Sequence, residues 1–362
     1  MNNQTKKEIL GMIAVGMLFL ILITACQPKE KTVVPAIWTQ EQAWNWQQEH
    51  GWLRGCNFIP STAINQLEMW QAETFDTTTI NRELGWAEDI GMNCMRVYLH
   101  HLAWKLDKEG FKKRMDTYLS IATQHGIKTI FVFMDDCWNP VYAAGKQPEP
   151  KLGVHNSGWV RDPGDLLFQD SKLTSMLELY VKDILTTFKS DKRIVLWDLY
   201  NEPGNSNYGD QSMPLLQKMF AWSWEVRPSQ PLSVGVWNDV LTNLNKFQVE
   251  NSDVITYHNY IAPANHQALI DSLKTFGRPL VCTEYMARRN NSLFFNIMPM
   301  LKHENVGAIN WGLVAGKTNT KYAWDEPIPD GSEPDLWFHD IFRPDGTPYK
   351  QEEVDLIKSL TN

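Results

Sequence analysis

The chain has 362 residues, of which 43% are hydrophobic and 21% are charged, and this composition excludes a disordered protein. A net charge of -8 and an isoelectric point of about 5.6 argue against a nucleic-acid partner, which favours a basic surface. The length allows two domains or one large α/β barrel. Tryptophan occurs 16 times, so indoles fill a large core, line a ligand groove, or do both.

The first 26 residues have the layout of an export signal, with two lysines before an apolar run and small residues before Cys26. The letters "ITAC", which end at Cys26, resemble the lipobox of bacterial lipoproteins. That resemblance implies a signal peptide over 1–25, then a lipidated cysteine and a linker over 26–36. The protein would be exported and anchored to a membrane, on its periplasmic side or at the cell surface. The alternative is an uncleaved membrane anchor, although the apolar run falls short of the roughly 20 residues that a spanning helix needs.

The remaining cysteines each fall in or beside a predicted core strand: Cys56, Cys94, Cys137 and Cys282. Their spacing does not match a zinc motif. An exported protein can form disulfides, and Cys56 and Cys94 could lie on neighbouring strands. Buried free thiols are the favoured interpretation, because an unpaired cysteine behaves as a small hydrophobic residue.

Strand and helix patterns alternate along the rest of the chain, after a first helix within "WTQEQAWNWQQEHGW". Most strand candidates are continuous apolar runs, which is typical of parallel strands that are buried on both faces. The predicted strands are 53–58, 93–99, 128–134, 193–200, 232–237, 254–260, 279–285 and 307–312.

Amphipathic helical patterns separate these strands, and the clearest is "SKLTSMLELYVKDILTTFK", whose apolar residues recur at helical spacing. Eight such strand–helix units predict one (β/α)8 TIM barrel domain over 37–362. An open, doubly wound sheet is the alternative. The first unit lacks a glycine-rich phosphate-binding loop, which weakens that alternative.

Catalytic residues of such barrels lie at the carboxyl ends of the strands. Two of the predicted strand ends carry glutamates, Glu202 after strand 4 and Glu284 at the end of strand 7. Two carboxylates that face one cavity are the groups that glycoside hydrolysis requires. The other polar or aromatic residues at strand ends are Arg96, His100, His101, Trp104, Asp135, Asp136, Trp138, Asn201, Trp237, Asn238, His258, Tyr260, Tyr285 and Trp311.

The motifs "YNEP" at 200–203 and "TEY" at 283–285 resemble clan A of the glycoside hydrolases, and most closely the cellulase-like family 5 or a sister family. The segments "NCMRVYLHHLAW", "YHNY" and "NWG" resemble the strand 2, strand 6 and strand 8 motifs of that family. Family members often carry a histidine after strand 3, where this chain has "MDDCWN"; His100 or His101 could substitute for it.

The resemblance implies a role for each matching residue. Glu202 would be the acid/base, and Glu284 would be the nucleophile. Asn201 would bind the sugar 2-hydroxyl, and His258 would orient catalytic groups or the sugar. Two more residues, Arg96 and Tyr260, would keep Glu284 ionised and aligned, and Trp311 would form the floor beneath the sugar at the cleavage point.

Further substrate-binding candidates follow from position alone, and each has a structural alternative. Trp138 and Trp237, like Trp104, either stack on sugar or pack in the core. Asp136, with Asp135, binds sugar, shapes a loop or, less favourably, holds a metal. Arg96 and His258 could also be buried structural residues. The long segment 134–159 is expected to wall one side of the groove.

The sequence therefore predicts a retaining O-glycosyl hydrolase, a cellulase- or mannanase-like β-glycanase or β-glycosidase that uses two glutamates. We expect no metal and no cofactor. The expected partners are a carbohydrate substrate and a membrane reached through the lipid at Cys26, with no nucleic acid, and the protein is expected to be a monomer. A catalytically inactive carbohydrate-binding lipoprotein and a transglycosylase are the alternatives.

Overall fold

The computed structural model describes residues 36–361. The predicted signal peptide, Cys26 and nearly all of the predicted linker lie outside these residues. In the described part of the chain, no helix is long and apolar enough to cross a membrane.

Helices and strands alternate in the order that the sequence predicts. The elements are α1 (Gln40–His50), β1 (Arg54–Asn57), α2 (Gln66–Trp70), α3 (Thr77–Asp89), β2 (Cys94–Tyr98), α4 (His101–Leu106), α5 (Lys108–Gln124), β3 (Lys128–Asp135), α6 (Leu173–Thr187), β4 (Ile194–Asn201), α7 (Met213–Val226), β5 (Leu232–Ser233), α8 (Thr242–Asn251), β6 (Ile255–His258), α9 (Pro263–Lys274), β7 (Leu280–Glu284), α10 (Phe294–His303), β8 (Gly307–Trp311) and α11 (Gln351–Thr361). Short 3-10 helices span Gly164–Phe168, Gly209–Ser212 and Arg288–Asn290.

The eight strands form one parallel sheet in the order β5-β4-β3-β2-β1-β8-β7-β6. Strand β5 pairs with β4 over only two residues. Beyond them the chain changes partner, because Val236 bridges to Tyr257 in β6 and accepts a hydrogen bond from the amide of His258. This bridge closes the sheet into a barrel, so the predicted (β/α)8 fold is confirmed and the open-sheet alternative is wrong.

Two layers of apolar side chains hold the barrel together. Inside it, Ile130, Leu196, Val281 and Ile309 from four strands share one cluster with residues of helix α1. Helix α1 closes the amino end of the barrel, and the indole of Trp46 donates to a backbone carbonyl of β4. The outer helices pack their apolar stripes on the other face of the sheet, as the periodicity of α6 predicts.

The four cysteines of the described chain are buried and free, as the sequence analysis favours. Cys56 and Cys94 lie on neighbouring strands, but the thiol of Cys56 contacts the sulfur of Met95 instead. The thiols of these two residues therefore belong to the apolar core of the barrel.

Two long loops rise from the carboxyl ends of strands β3 and β8. They are hydrogen-bonded to each other: the amide of Asn156 donates to the carbonyl of Thr318 at 2.8 Å, and the amide of Ile328 donates to that of Gly153 at 3.0 Å. Together they form one side of the barrel mouth, the position that the sequence analysis predicts for segment 134–159.

Candidate active site

The carboxyl ends of the strands open into a cavity of about 1310 Å³. The cavity extends beyond the strand ends, because its lining also includes residues of helices α8 and α9, such as Val249 and Leu269. Most of the predicted site residues line it: Trp138, Asn201, Glu202, Trp237, His258, Tyr260, Glu284 and Trp311.

Glu284 ends strand β7 and is held by three donors. Its Oε1 accepts from Arg96 Nη1 at 2.8 Å and from the hydroxyl of Tyr98 at 2.9 Å, and its Oε2 accepts from the hydroxyl of Tyr260 at 2.7 Å. Burial raises the pKa of both phenols well above their ordinary value, so both keep the protons that they donate. The carboxylate of Glu284 is thereby fixed in one orientation.

Arg96 lies beneath the cavity and has no exposed surface. Besides Glu284, its guanidinium donates to Asp198, Asn201 and Asn57 at 2.7–3.0 Å. Because Arg96 does not line the cavity and each of its guanidinium nitrogens donates to a protein group, a direct contact with a substrate does not fit its position, which corrects its place among the predicted substrate-binding residues. Its position fits the other predicted role, in which it holds Glu284 ionised and aligned.

Glu202 follows strand β4 in a left-handed conformation, with φ of 46°, which side chains other than glycine rarely adopt. Such strain is concentrated at functional sites. Its Oε1 lies 2.8 Å from His258 Nδ1, and its Oε2 accepts from the thiol of Cys137 at 3.2 Å and from the amide of Asn205.

The protonation of Glu202 depends on opposing effects. Burial is the largest single effect and raises its pKa, but the hydrogen bond and charge of His258, together with hydrogen bonds from Cys137 and Asn205, lower it. The net result is a pKa below the ordinary value for a glutamate.

The two glutamates are close neighbours, although 82 positions separate them in the sequence (284 − 202). His258 Nδ1 lies 2.8 Å from Glu202 Oε1 and 3.4 Å from Glu284 Oε2. An oxygen of each carboxylate lies within 4.8 Å of one of the other. This spacing matches the close carboxyl pair of retaining glycosidases, about 5–5.5 Å apart, and not the wider pair of inverting ones.

Asn201 is hydrogen-bonded both to Arg96, beneath Glu284, and to Asp135, at the end of β3. Its side-chain oxygen accepts from Arg96, while its amide donates to Asp135 at 2.9 Å and to the sulfur of Cys137 at 3.3 Å. Asp135 also accepts from the indole of Trp159, and burial raises the pKa of Asp135 to about 7. The predicted contact between Asn201 and a sugar hydroxyl stays a prediction, since its amide already has protein partners.

The tryptophans divide between the cavity and the core. Trp311 lies at the cavity floor with 9% of its surface exposed, Trp138 is 37% exposed, and Trp237 donates its indole proton to the carbonyl of Pro203. These three line the cavity. Trp104 is buried between helices away from the cavity, so the packing alternative holds for it.

Asp136 does not face the cavity, which corrects its prediction as a substrate contact. Its carboxylate accepts from the hydroxyls of Tyr200 and Ser212 and from the amide of Gly204. Burial raises its pKa to about 6. Asp136 therefore supports the turn after Glu202, which is the loop-shaping alternative.

The two histidines after strand β2 also lie outside the cavity lining. Each nitrogen of His100 is hydrogen-bonded to a backbone group. His101 contacts Asp162 with one nitrogen and the hydroxyl of Tyr142 with the other. The ligand atoms of His100, His101 and Asp162 are close enough to hold a metal ion, but their protein partners already occupy them, so we assign this cluster a structural role.

Several cavity or contact residues escape the sequence analysis. Tyr98 could have been found, because it lies two positions after Arg96 and a strand points both side chains to the same face. Cys137 falls beside the end of strand 3, where the sequence favours a buried free thiol over a contact with Glu202. The others lie on loops with no periodic signal: His155, Trp159, Asn205, Trp324 and His339.

No protein family model matches the sequence, and no curated protein matches it. Solved structures do match its fold. GH5_18 from Streptomyces cattleya, in a complex with GlcNAc, has a TM-score of 0.57 at 10% identity, over 85% of this chain and 79% of its own.

Two further solved structures have a similar fold. The hyperthermostable endo-1,4-beta-D-mannanase from Thermotoga petrophila RKU-1 has a TM-score of 0.52 at 16% identity, over 84% of this chain and 99% of its own. The exo-beta-1,4-mannosidase Op5Man5 from Opitutaceae bacterium strain TAV5 has a TM-score of 0.59 at 15% identity, over 85% of this chain and 59% of its own. At these identities the likeness is one of fold: the chain shares its (β/α)8 barrel fold with these solved structures.

Proposed function

We propose that the protein is a retaining glycoside hydrolase that cleaves β-linked oligosaccharides or polysaccharides. The observation that carries the proposal is the close pair of Glu202 and Glu284, bridged by His258 at the floor of an aromatic-lined cavity. A protein that only binds sugar has no need of this pair. The structural neighbours support the proposal, because they share the barrel and include a mannanase and a mannosidase.

In the first step, Glu284 Oε attacks the anomeric carbon and forms an ester bond to it, while the bond to the leaving oxygen breaks. Glu202 transfers its proton to that oxygen. In the second step, Glu202 accepts a proton from water, the water oxygen bonds to the anomeric carbon, and Glu284 is released. Configuration is retained because the anomeric carbon is attacked twice.

The donors around Glu284 suit its part in this scheme. Arg96, Tyr98 and Tyr260 hold the attacking carboxylate in place before the reaction, and no group has to reorganise when the ester forms. Glu202 has a different environment, in which burial favours its acid form and His258 favours its ionised form. The role of general acid requires Glu202 to be protonated when the reaction begins, and burial is the effect that favours this form.

Hydrolysis and its stereochemistry test the proposal. We expect the full chain to hydrolyse a member of a panel of β-1,4-linked glucose, mannose and xylose oligosaccharides and aryl β-glycosides, and NMR to detect the β-anomer first. Glu202→Gln should lower kcat by roughly 10²–10⁴-fold. Glu284→Gln should lower it at least as much, while Glu225→Gln, on the outer surface of α7, should leave it unchanged.

Two outcomes would contradict the proposal. The α-anomer as first product would exclude Glu284 as a nucleophile. Full hydrolysis by folded Glu202→Gln and Glu284→Gln proteins would place the chemistry elsewhere. Circular dichroism of each variant distinguishes a lost activity from a lost fold.

We also propose that the protein is an exported lipoprotein anchored through Cys26. The support is the lipobox-like sequence alone. Expression in a bacterium with radiolabelled palmitate tests this proposal. Label should enter the native chain and be absent from Cys26→Ala, and label in both chains would overturn it.

A further inference from the structure

The wall of the cavity on the side of loops β3 and β8 contains two histidines and two tryptophans. His155 and Trp138 come from the β3 loop, and Trp324 and His339 come from the β8 loop. All four line the cavity. They form a continuous group, because the ring centroids of the two histidines are 5.5 Å apart and each histidine lies within 6 Å of one of the indoles. We call this group the aromatic wall.

Backbone carbonyls fix the tautomer of both histidines. Nδ1 of His155 lies 2.9 Å from the carbonyl oxygen of Tyr322, and Nδ1 of His339 lies 2.5 Å from that of Met286. A carbonyl only accepts, so each Nδ1 carries the hydrogen. In a neutral imidazole the other nitrogen, Nε2, is then an acceptor.

Both imidazoles are neutral near pH 7. Burial lowers the pKa of His155 to about 4 and that of His339 well below its ordinary value. In the described chain, Nε2 of His339 is buried and has no hydrogen-bond partner. A buried acceptor without a partner is destabilising, and sites of this kind are completed by water or by a ligand.

The two indoles provide apolar ring surface beside the histidine acceptors. Trp138 is 37% exposed and Trp324 is 36% exposed, so each presents ring surface to the opening of the cavity. Trp324 also packs edge-on against Tyr260, the residue that donates to Glu284. The aromatic wall is therefore continuous with the catalytic pair.

We propose that the aromatic wall is a sugar-binding subsite, in which Trp138 and Trp324 stack on a pyranose ring while Nε2 of His155 and His339 accept hydrogen bonds from its hydroxyl groups. This assignment rests on the proposed function and extends it to residues that select the substrate. A pyranose has both features that the wall requires, an apolar C–H face and hydroxyl donors at its edge. The two acceptors favour a neutral sugar with free hydroxyls over one whose hydroxyls are esterified or methylated.

Paired substitutions separate the acceptor from the rest of the ring. Asparagine in place of histidine keeps a donor near the Nδ1 position and removes the Nε2 acceptor, whereas glutamine places an amide oxygen near Nε2. The test uses His339→Asn, His339→Gln, Trp324→Ala and the control His266→Asn. His266 is also buried, but it is hydrogen-bonded to Tyr257 of strand β6 and is not among the residues that line the cavity.

Binding is measured by calorimetry in the Glu284→Gln background, with β-1,4-linked hexasaccharides of glucose, mannose and xylose as probes. For the hexasaccharide that binds best, we expect His339→Asn and Trp324→Ala each to raise Kd about tenfold. His339→Gln should recover part of the affinity, and His266→Asn should not change it. The O-methylated hexasaccharide should bind the unsubstituted background and His339→Asn equally weakly, because it lacks the hydroxyl donors.

The result that overturns the inference is an unchanged Kd in both His339→Asn and Trp324→Ala, or the absence of binding by every probe. This failure is distinguishable from failure of the proposed function. Hydrolysis with retention but without any effect of these variants rejects the aromatic wall alone. Binding that depends on the wall, in a native chain that hydrolyses no probe, rejects the hydrolase and keeps the subsite.

Discussion

At the scale of single residues, the hydrogen bond between the thiol of Cys137 and the carboxylate of Glu202 can be tested by substituting the cysteine. A thiol donates to a carboxylate, and its sulfur can accept from the carboxylic acid once Glu202 is protonated. Burial raises the pKa of the Cys137 thiol well above its ordinary value, and the charges of Asp135, Glu202 and Glu284 raise it further, so the thiol keeps its proton. Cys137 can therefore hold Glu202 in place in both of its protonation states.

We expect Cys137→Ala to lower kcat/KM by about threefold to tenfold, the range of one modest hydrogen bond. Cys137→Ser should retain most of the activity, because a hydroxyl also donates and accepts. Cys94→Ala is the matched control, since Cys94 is a buried thiol in the barrel interior away from the cavity. Steady-state kinetics with one substrate checks all three, and equal rates for Cys137→Ala and the native protein would contradict the assigned contact.

The pair of His258 and Glu202 predicts a pH dependence. His258 lowers the pKa of Glu202 against the effect of burial, and the general acid must be protonated to act. Activity should therefore be highest on the acidic side of neutrality and fall as the pH rises through the pKa of Glu202. In His258→Phe the contributions of His258 are lost, while burial and the hydrogen bonds from Cys137 and Asn205 remain, so the alkaline limb of kcat/KM should move to higher pH.

The pH profile of kcat/KM for the native protein and His258→Phe measures this shift. A carbon-13 NMR titration of Glu202, assigned with Glu202→Gln, gives the same pKa without turnover. An alkaline limb that stays in place or moves to lower pH would show that His258 does not govern the protonation of Glu202.

At the scale of elements, helix α11 is attached to the barrel by a buried ion pair. Glu353 accepts from Arg288 Nε at 2.9 Å and Nη2 at 2.6 Å, and both side chains are nearly inaccessible. The same guanidinium donates to the carbonyls of Trp337 and Asp340, on either side of His339. The ion pair therefore connects the last helix to the loop that carries half of the aromatic wall.

We expect Glu353→Ala to lower the free energy of unfolding by about 3–5 kcal/mol, because it leaves the charge of Arg288 buried and unpaired. Urea denaturation followed by circular dichroism measures the change. The control is Glu352→Ala, an exposed neighbour on the same helix, with an expected effect within about 0.5 kcal/mol. A loss below about 1 kcal/mol in Glu353→Ala would mean that water enters and solvates Arg288.

The elements could be predicted well from the sequence because buried parallel strands are continuous apolar runs. Strand β4 was predicted at 193–200 and spans Ile194–Asn201. Strand β5 is the exception: it was predicted at 232–237 but ends at Ser233, since the following residues leave β4 and contact β6. A change of pairing partner depends on the closed barrel and leaves no local signal in the sequence.

The sequence predicts site residues at strand ends better than site residues on loops. Residues at strand ends, such as Glu202 and Glu284, follow from barrel topology, and the structure places both in one cavity. Loop residues such as His339 do not, because contacts between two distant loops determine their position. Burial explains two further differences. Arg96 lies in the middle of β2 and beneath the cavity, and Asp136 lies against the turn after Glu202, and the sequence does not reveal that both side chains are buried.

At the scale of the whole molecule, closure of the barrel brings Glu202 and Glu284 together. Strands β4 and β7 are not neighbours in the sheet, yet their carboxyl ends approach across the barrel mouth. In an open sheet the two glutamates would lie at separate places along one edge. The proposed mechanism therefore requires a covalent bond between the substrate and Glu284, at the end of β7.

Trapping of the glycosyl-enzyme tests this claim most directly. A 2-deoxy-2-fluoro-β-glycoside with a dinitrophenyl leaving group, made for the sugar that the native protein hydrolyses, should inactivate it because the fluorine slows the second step. Peptide mass spectrometry should then find one glycosyl group on the oxygen of Glu284, and none in Glu284→Gln. A label on Glu202 or on another residue, or complete inactivation without any covalent label, would contradict the account.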